Sequence, residues 1–178
     1  MSDDFSVFWH NNERASALFY DLLARSAQNA YDDDFLAQLA AYREAGGDAA
    51  HADIFAAQYL LANGDAETAV ICAERAFRLR PLQAPIFEVL ASAYKALGRY
   101  ADALLMQGYT NRLTDVPIAV DDYPHEAITQ EALDRLSVVL SHPSSVPLAT
   151  RASYDPAAGI TTTDGLFAGE FLPASESH

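Results

Sequence analysis

Basic residues are scarce in this 178-residue chain, where 11 Lys and Arg stand against 25 Asp and Glu for a formal net charge of −14. Lysine is reduced to a single residue, Lys95. A surface of that sign repels nucleic-acid phosphates and anionic headgroups, so the expected partners exclude nucleic acid and favour a basic or neutral apolar surface. Cysteine is also down to one, Cys72, and a lone thiol makes no internal disulfide, which is compatible with a reducing cytoplasm. Long apolar runs are missing too. No stretch reaches the ~18 residues needed to cross a bilayer. The opening Met1-Ser2-Asp3-Asp4-Phe5 has no basic segment leading into an apolar one. The expectation is a soluble, cytoplasmic protein without membrane insertion.

Signatures of chemistry are equally thin. The five histidines, His10, His51, His125, His142 and His178, form no i,i+4 pair and no H-x-H or H-E-x-x-H arrangement, which argues against zinc. Gly46-Gly47 runs into Asp48-Ala49-Ala50 with no Gly-Lys-Ser or Gly-Lys-Thr, so no phosphate loop is present. Asp32-Asp33-Asp34 lacks the spaced ligands of a calcium loop and suits a helix N-terminus, whose partial positive charge favours acids. Asp121, Asp122 and Glu126, around Pro124 and His125, read as a solvated connector. Cys72, flanked by Ile71 and Ala73 in a helical stretch, reads as a buried structural thiol without an activator. The expectation is a noncatalytic protein with no metal and no cofactor.

What the chain does have is apolar content, 51%, enough for a proper core at this length, and a repeat. Ala57, Ala62, Gly64, Ala69 and Leu79 are answered 34 positions later by Ala91, Ala96, Gly98, Ala103 and Leu113. A fixed period of that length is a helix-turn-helix unit used twice, each copy burying its apolar face on the next. Small residues at 57/91 and 69/103 let paired helices approach closely. Gly64 and Gly98 can take the left-handed conformation that ends a helix, and Pro81 closes the second helix of the first unit.

With Asn63-Gly64-Asp65, Ala69, Ala76 and Pro81 in the first copy, and Tyr94, Leu97-Gly98-Arg99-Tyr100 and Ala103 in the second, residues 49–117 resemble the tetratricopeptide repeat family. The pattern departs from the family at Asp53, where a large aromatic is usual, and at Ala73 and Gln107, where bulky apolar residues are common. The resemblance implies an all-α fold, a right-handed superhelix of stacked helical hairpins.

The repeat helices are expected near residues 50–63, 66–80, 83–97 and 100–113. Ahead of them, Leu18, Phe19, Leu22 and Leu23 predict a helix over about 12–29, and Phe35, Leu36, Leu39 and Tyr42 a second one stopped by Gly46-Gly47. Together they form a capping hairpin over 12–47, a degenerate repeat in which Leu23 answers Ala57 and Phe35 answers Ala69 at the same 34-residue offset. After an acidic connector, Ile128, Ala132, Leu133, Leu136 and Leu140 predict a solvating helix over about 126–141. The array then holds about seven helices within a helical domain spanning 1–141. Residues 142–178 form a Pro/Ser/Thr-rich tail or linker in which Ile160 to Gly169, centred on Asp164-Gly165, has the form of a short β-hairpin.

The resemblance also locates a binding surface. The first helix of each hairpin lines the family's concave face, and the ligand-contacting positions map onto Ile54, Gln58 and Leu61 in the first copy and Glu88, Ser92 and Lys95 in the second. These do not form the family's carboxylate clamp, because Lys95 alone among them is basic. The leading functional expectation is an adaptor or scaffold that binds a peptide or partner domain on that face. The chain's own tail, with Phe167, Phe171 and Leu172, and a second copy of the chain are further candidate occupants. Two alternatives stand beside it: an N-terminal accessory domain of a larger bacterial enzyme such as a glycosyltransferase, and a tetratricopeptide-type secretion chaperone.

Overall fold

The computed structural model describes residues 13–81 and 83–141. The expected tail hairpin, the tail's aromatic residues, and Phe5 and Trp9 lie outside those residues. Among the described residues the chain is all-helical, with seven α-helices and no strand. They are α1 (Glu13–Ala27), α2 (Asp33–Glu44), α3 (Ala49–Ala62), α4 (Ala66–Leu79), α5 (Ala84–Ala96), α6 (Tyr100–Thr114) and α7 (Gln130–Ser141). Each helix packs on the one before it. In addition α3 packs on α5 and α1 touches α3, so the odd-numbered helices up to α5 share one layer of the stack.

The turns show why the chain reverses where it does. Gly64 (φ 88°) and Gly98 (φ 74°) both take the left-handed conformation, and a Cβ at either would meet open space. Backbone conformation alone therefore calls for glycine here. Each glycine closes a Schellman motif: Gly64 and Asp65 donate to Leu61 and Leu60 carbonyls at 3.1 and 2.9 Å, and Gly98 and Arg99 to Lys95 and Tyr94 carbonyls at 3.1 and 2.8 Å. Aspartates start three helices, with Asp32, Asp48 and Asp65 accepting from the backbone N–H of Phe35, His51 and Thr68. The Thr68 side chain and backbone hold the Asp65 carboxyl below its ordinary pKa.

The first hairpin uses the same device in another register. Its left-handed residue is Asn29 (φ 55°), with Ala30 donating to the Arg25 carbonyl at 2.9 Å. Ala30 and Tyr31 then separate Asn29 from the cap Asp32, whereas Gly64 leads directly into Asp65. Counted back from the left-handed residue, Leu22 stands where Ala57 does, and Leu22 is fully buried while Leu23 is 47% exposed. Leu22, not Leu23, is the packing counterpart of Ala57. Phe35, like Ala69, is fully buried.

Two apolar cores share α3. One, between α1, α2 and α3, is built on Leu22, Phe35, Leu39, Tyr42 and Phe55; the other runs from α3 to α7 through Ile54, Phe77, Phe87, Leu90, Tyr94, Leu104 and Leu136. Asp53 is only 6% exposed, yet its carboxylate accepts from Arg75 of α4 at 2.9 Å and lies 3.5 Å from Arg43 of α2. This buried charge is paired on both flanks. At the far end, α7 starts at Gln130 and not near 126, because Thr129 caps it through Oγ1, which accepts from Ala132 N–H at 3.1 Å. Residues 125–127 form a 3₁₀ turn instead. The helix closes over Gly108, where a Cβ would stand 2.7 Å from Leu136 Cδ1. Arg112 Nη1 donates to the Val139 and Leu140 carbonyls at 2.9 and 3.2 Å, satisfying the C-terminus of α7.

Gly47 tests packing and Gly98 tests conformation. A Cβ on Gly47 would stand 2.4–2.5 Å from the ring of Tyr42, which is fully buried and whose hydroxyl accepts from Asp48 N–H at 2.9 Å. Gly47→Ala is expected to cost roughly 1–3 kcal/mol as the ring is displaced. Gly98→Ala should cost about 1 kcal/mol, and Gly98→Asn less, because only the positive φ is at stake. Urea unfolding followed by circular dichroism measures both, and a neutral Gly47→Ala would contradict the Tyr42 packing. The small-residue positions should also separate: Ala57 is fully buried, while Ala91 borders a cleft. In the same assay Ala57→Trp should lose more than about 3 kcal/mol, and Ala91→Trp markedly less because its indole has space to enter.

Candidate functional site

Three elements enclose a cleft of about 330 Å³ at the α7 end of the stack. One face of α5 contributes Glu88, Ala91 and Ser92; α6 contributes Gln107 and Thr110; the segment after α6 contributes Val116, Pro117 and Ala119. Helical geometry places Glu88 above Ser92, and Gln107 above Thr110, each pair about one turn apart. The third wall exists because α6 stops sharply. Asp115 (φ 60°) takes the left-handed conformation, and Asn111 Nδ2 donates to the Val116 carbonyl at 3.0 Å. Thr114 Oγ1 donates to the Thr110 carbonyl at 2.8 Å and accepts from Val116 N–H at 3.3 Å.

Register explains why space is left here. Counting back 34 residues, Glu88, Ala91, Gln107 and Thr110 correspond to Ile54, Ala57, Ala73 and Ala76. All four earlier residues are buried in the core, where α5 packs across both α3 and α4. At the end of the stack α7 packs on α6 without any comparable contact with α5. The vacated groove has polar residues at three of the four positions that are apolar inside.

The polar lining comes from Glu88, Ser92, Gln107 and Thr110. The exposed Glu88 carboxylate is the only charge among the cleft-lining residues described. Gln107 is a half-buried residue whose Oε1 is shielded from solvent and has no hydrogen-bond partner among the described residues. Thr110 is buried and its hydroxyl proton is committed to the Met106 carbonyl at 3.1 Å, which leaves only acceptor capacity at Oγ1. Val116, Pro117, Ala119 and Ala91 supply the apolar part of the wall.

Of the six positions expected to contact a ligand, the cleft brings together Glu88 and Ser92. Lys95 stands on the same helix, but its ammonium lies 5.1 Å from the centroid of the Tyr123 ring, which Tyr100 meets edge-on at 6.2 Å. That contact pins the connector to α5 and α6. The three first-copy positions are engaged in packing. Ile54 is in the core, Leu61 packs half-buried against it, and Gln58 Oε1 accepts from Ser26 Oγ of α1 at 2.9 Å. Gln107, Thr110 and the 116–119 wall were not singled out as ligand contacts from the sequence. Gln107 carried a signal all the same, as a polar residue at a place where bulky apolar side chains are common.

The remaining reactive groups have local roles. Cys72 is buried, and burial pushes its thiol pKa up, away from a nucleophilic thiolate. His51 is buried with its ring 4.9 Å from that of Phe19. Among the described residues no three His, Cys, Asp or Glu side chains converge on a point that could hold a metal ion. Nor is any helix there long and apolar enough to cross a membrane. No protein-family model, no curated protein and no solved structure matches the chain.

The connector's anchor makes a pH prediction. Burial, with a smaller contribution from Asp122, pushes the Tyr123 hydroxyl up to about 12. The folded state then keeps a proton that the unfolded chain releases near pH ~10. Tyr123's share of stability is constant below that pH and is lost as pH rises from about 10 through about 12. Tyr42, raised by its own burial, adds to the same loss. Tyr123→Phe removes a hydroxyl that has no partner among the described residues. Its unfolding free energy at pH 7 should equal or exceed the parent's, by up to about 1–3 kcal/mol, and fall less steeply above pH ~10. A parallel fall in both proteins would place the alkaline titration elsewhere.

Proposed function

We propose that this protein is a noncatalytic interaction module of the tetratricopeptide kind, and that it binds a peptide segment of a protein partner in the cleft between α5, α6 and the 116–119 segment. The observation that carries the reading is the open end of the stack, where Glu88 and Ser92 face a groove that its internal counterpart fills with the next helix. A groove of this shape, with an apolar wall opposite a few polar groups, suits a short extended or helical segment. Its volume is at the lower end of the range for specific ligand sites, which fits one or two anchoring side chains.

Peptides selected by the full chain from a random display library test this. Ser92 is exposed, so Ser92→Trp should fill the cleft without disturbing the core. The selected peptides are expected to lose at least about tenfold in affinity, or ~1.4 kcal/mol, for that variant. Unchanged affinities, or a library that yields no binder, would overturn the reading.

A further inference from the structure

We infer that the anchor taken by the α5–α6 cleft is a cationic side chain, an arginine in preference to a lysine, carried by a peptide segment with an apolar neighbour. The inference rests on the proposed function above and adds the chemistry of the ligand.

The described lining of the cleft carries negative charge and no cation. Glu88 brings the only charge among its described lining residues. Thr110 Oγ1 can only accept, because its proton already goes to Met106. Lys95, the only cation on α5, stands about two turns from Glu88 and is turned to the Tyr123 ring. A ligand group that complements Glu88 and the Thr110 hydroxyl oxygen carries positive charge and N–H donors.

Arginine fits better than lysine on two counts. Its planar guanidinium presents five donors in a fixed fork, so it can grip a carboxylate through two parallel hydrogen bonds, whereas an ammonium is a point charge that dehydrates reluctantly. Its methylene stem can also lie along apolar surface, which Val116 and Pro117 provide at the mouth. The long-range field acts in the same sense. A chain of net charge −14 draws cationic segments towards itself before any contact forms. The connector adds exposed Asp115, Asp121 and Asp122 to that field.

The same library selection provides the test. Peptides whose binding depends on Ser92 should carry arginine, or less often lysine, at one common position. A synthetic peptide of the selected sequence, titrated calorimetrically into the full chain, should weaken at least tenfold when that arginine is replaced by citrulline, which keeps the shape and removes the charge. Glu88→Gln, at an exposed position, should cost the arginine peptide a similar factor and leave the citrulline peptide nearly unaffected, so that the two losses are not additive. Ser92-dependent peptides without a cationic residue, or equal binding of the arginine and citrulline forms, would overturn this inference while the peptide-binding reading stands. Binders indifferent to Ser92→Trp would remove both.

Discussion

Helix α3 has almost no face turned to water, and the rest of the stack is arranged around that fact. Six consecutive residues, Ala50 to Phe55, are buried, followed by Ala57. A helix that is apolar nearly all round must be covered on every side. The first hairpin takes the side presenting Ala52 and Phe55, and α4 and α5 take the side presenting Ile54 and Ala57. Fully burying a side chain such as Phe55 or Ile54 contributes about 1.5–3 kcal/mol, so uncovering either side of α3 is expensive. The polar groups carried inward are paired. Asp53 meets Arg75 and Arg43, and Asp48, the cap of α3, meets Arg80 at 2.8 Å. Those ion pairs join α2, α3 and α4. The arginines are a third to a half exposed, so the pairs contribute more to register than to stability.

The two sides of the described stack differ. The first hairpin packs on α3 through large side chains. Phe35 meets Phe55 edge-on at 6.1 Å and lies parallel to Tyr59 at the same separation. At the other end α7 covers α6 through the space left at Gly108 and leaves α5 partly open. Among the described residues the cleft lies where no helix packs across α5 as α5 packs across α3, with the 116–119 segment held across part of the gap by Asn111, Thr114 and Tyr123.

Features that repeat, or that demand a particular residue type, were legible in the sequence. Gly64 and Gly98 are marked because few other residues tolerate a positive φ, and they located the helix pairs to within about two residues, the ordinary uncertainty of helix ends. The seven helices and their order followed from apolar spacing. What was not legible arises from one-residue geometry or from distant contacts. The burial of Leu22 in place of Leu23 leaves no periodic trace, since neighbouring leucines satisfy the pattern equally well. Thr129 is a cap only because the chain leaves a 3₁₀ turn there. Of the candidate site, Glu88 and Ser92 could be reached by register alone. The wall from 116 to 119 could not, because it depends on how α6 ends, and the Lys95–Tyr123 contact joins residues too far apart in sequence to be paired by inspection.

The polar residues at the open end also bear on what can occupy it. Ile54, Ala73 and Ala76 accept the next hairpin because their burial is favourable without further conditions. Glu88, Gln107 and Thr110 impose a condition. Covering them with the apolar face of another hairpin would take a carboxylate out of water with no partner, at a cost of several kcal/mol, more than one buried leucine or phenylalanine returns. A second copy of this chain, itself short of cations, is poorly suited to supply the missing charge. The polar residues of this groove thus make it a poor seat for a further apolar hairpin.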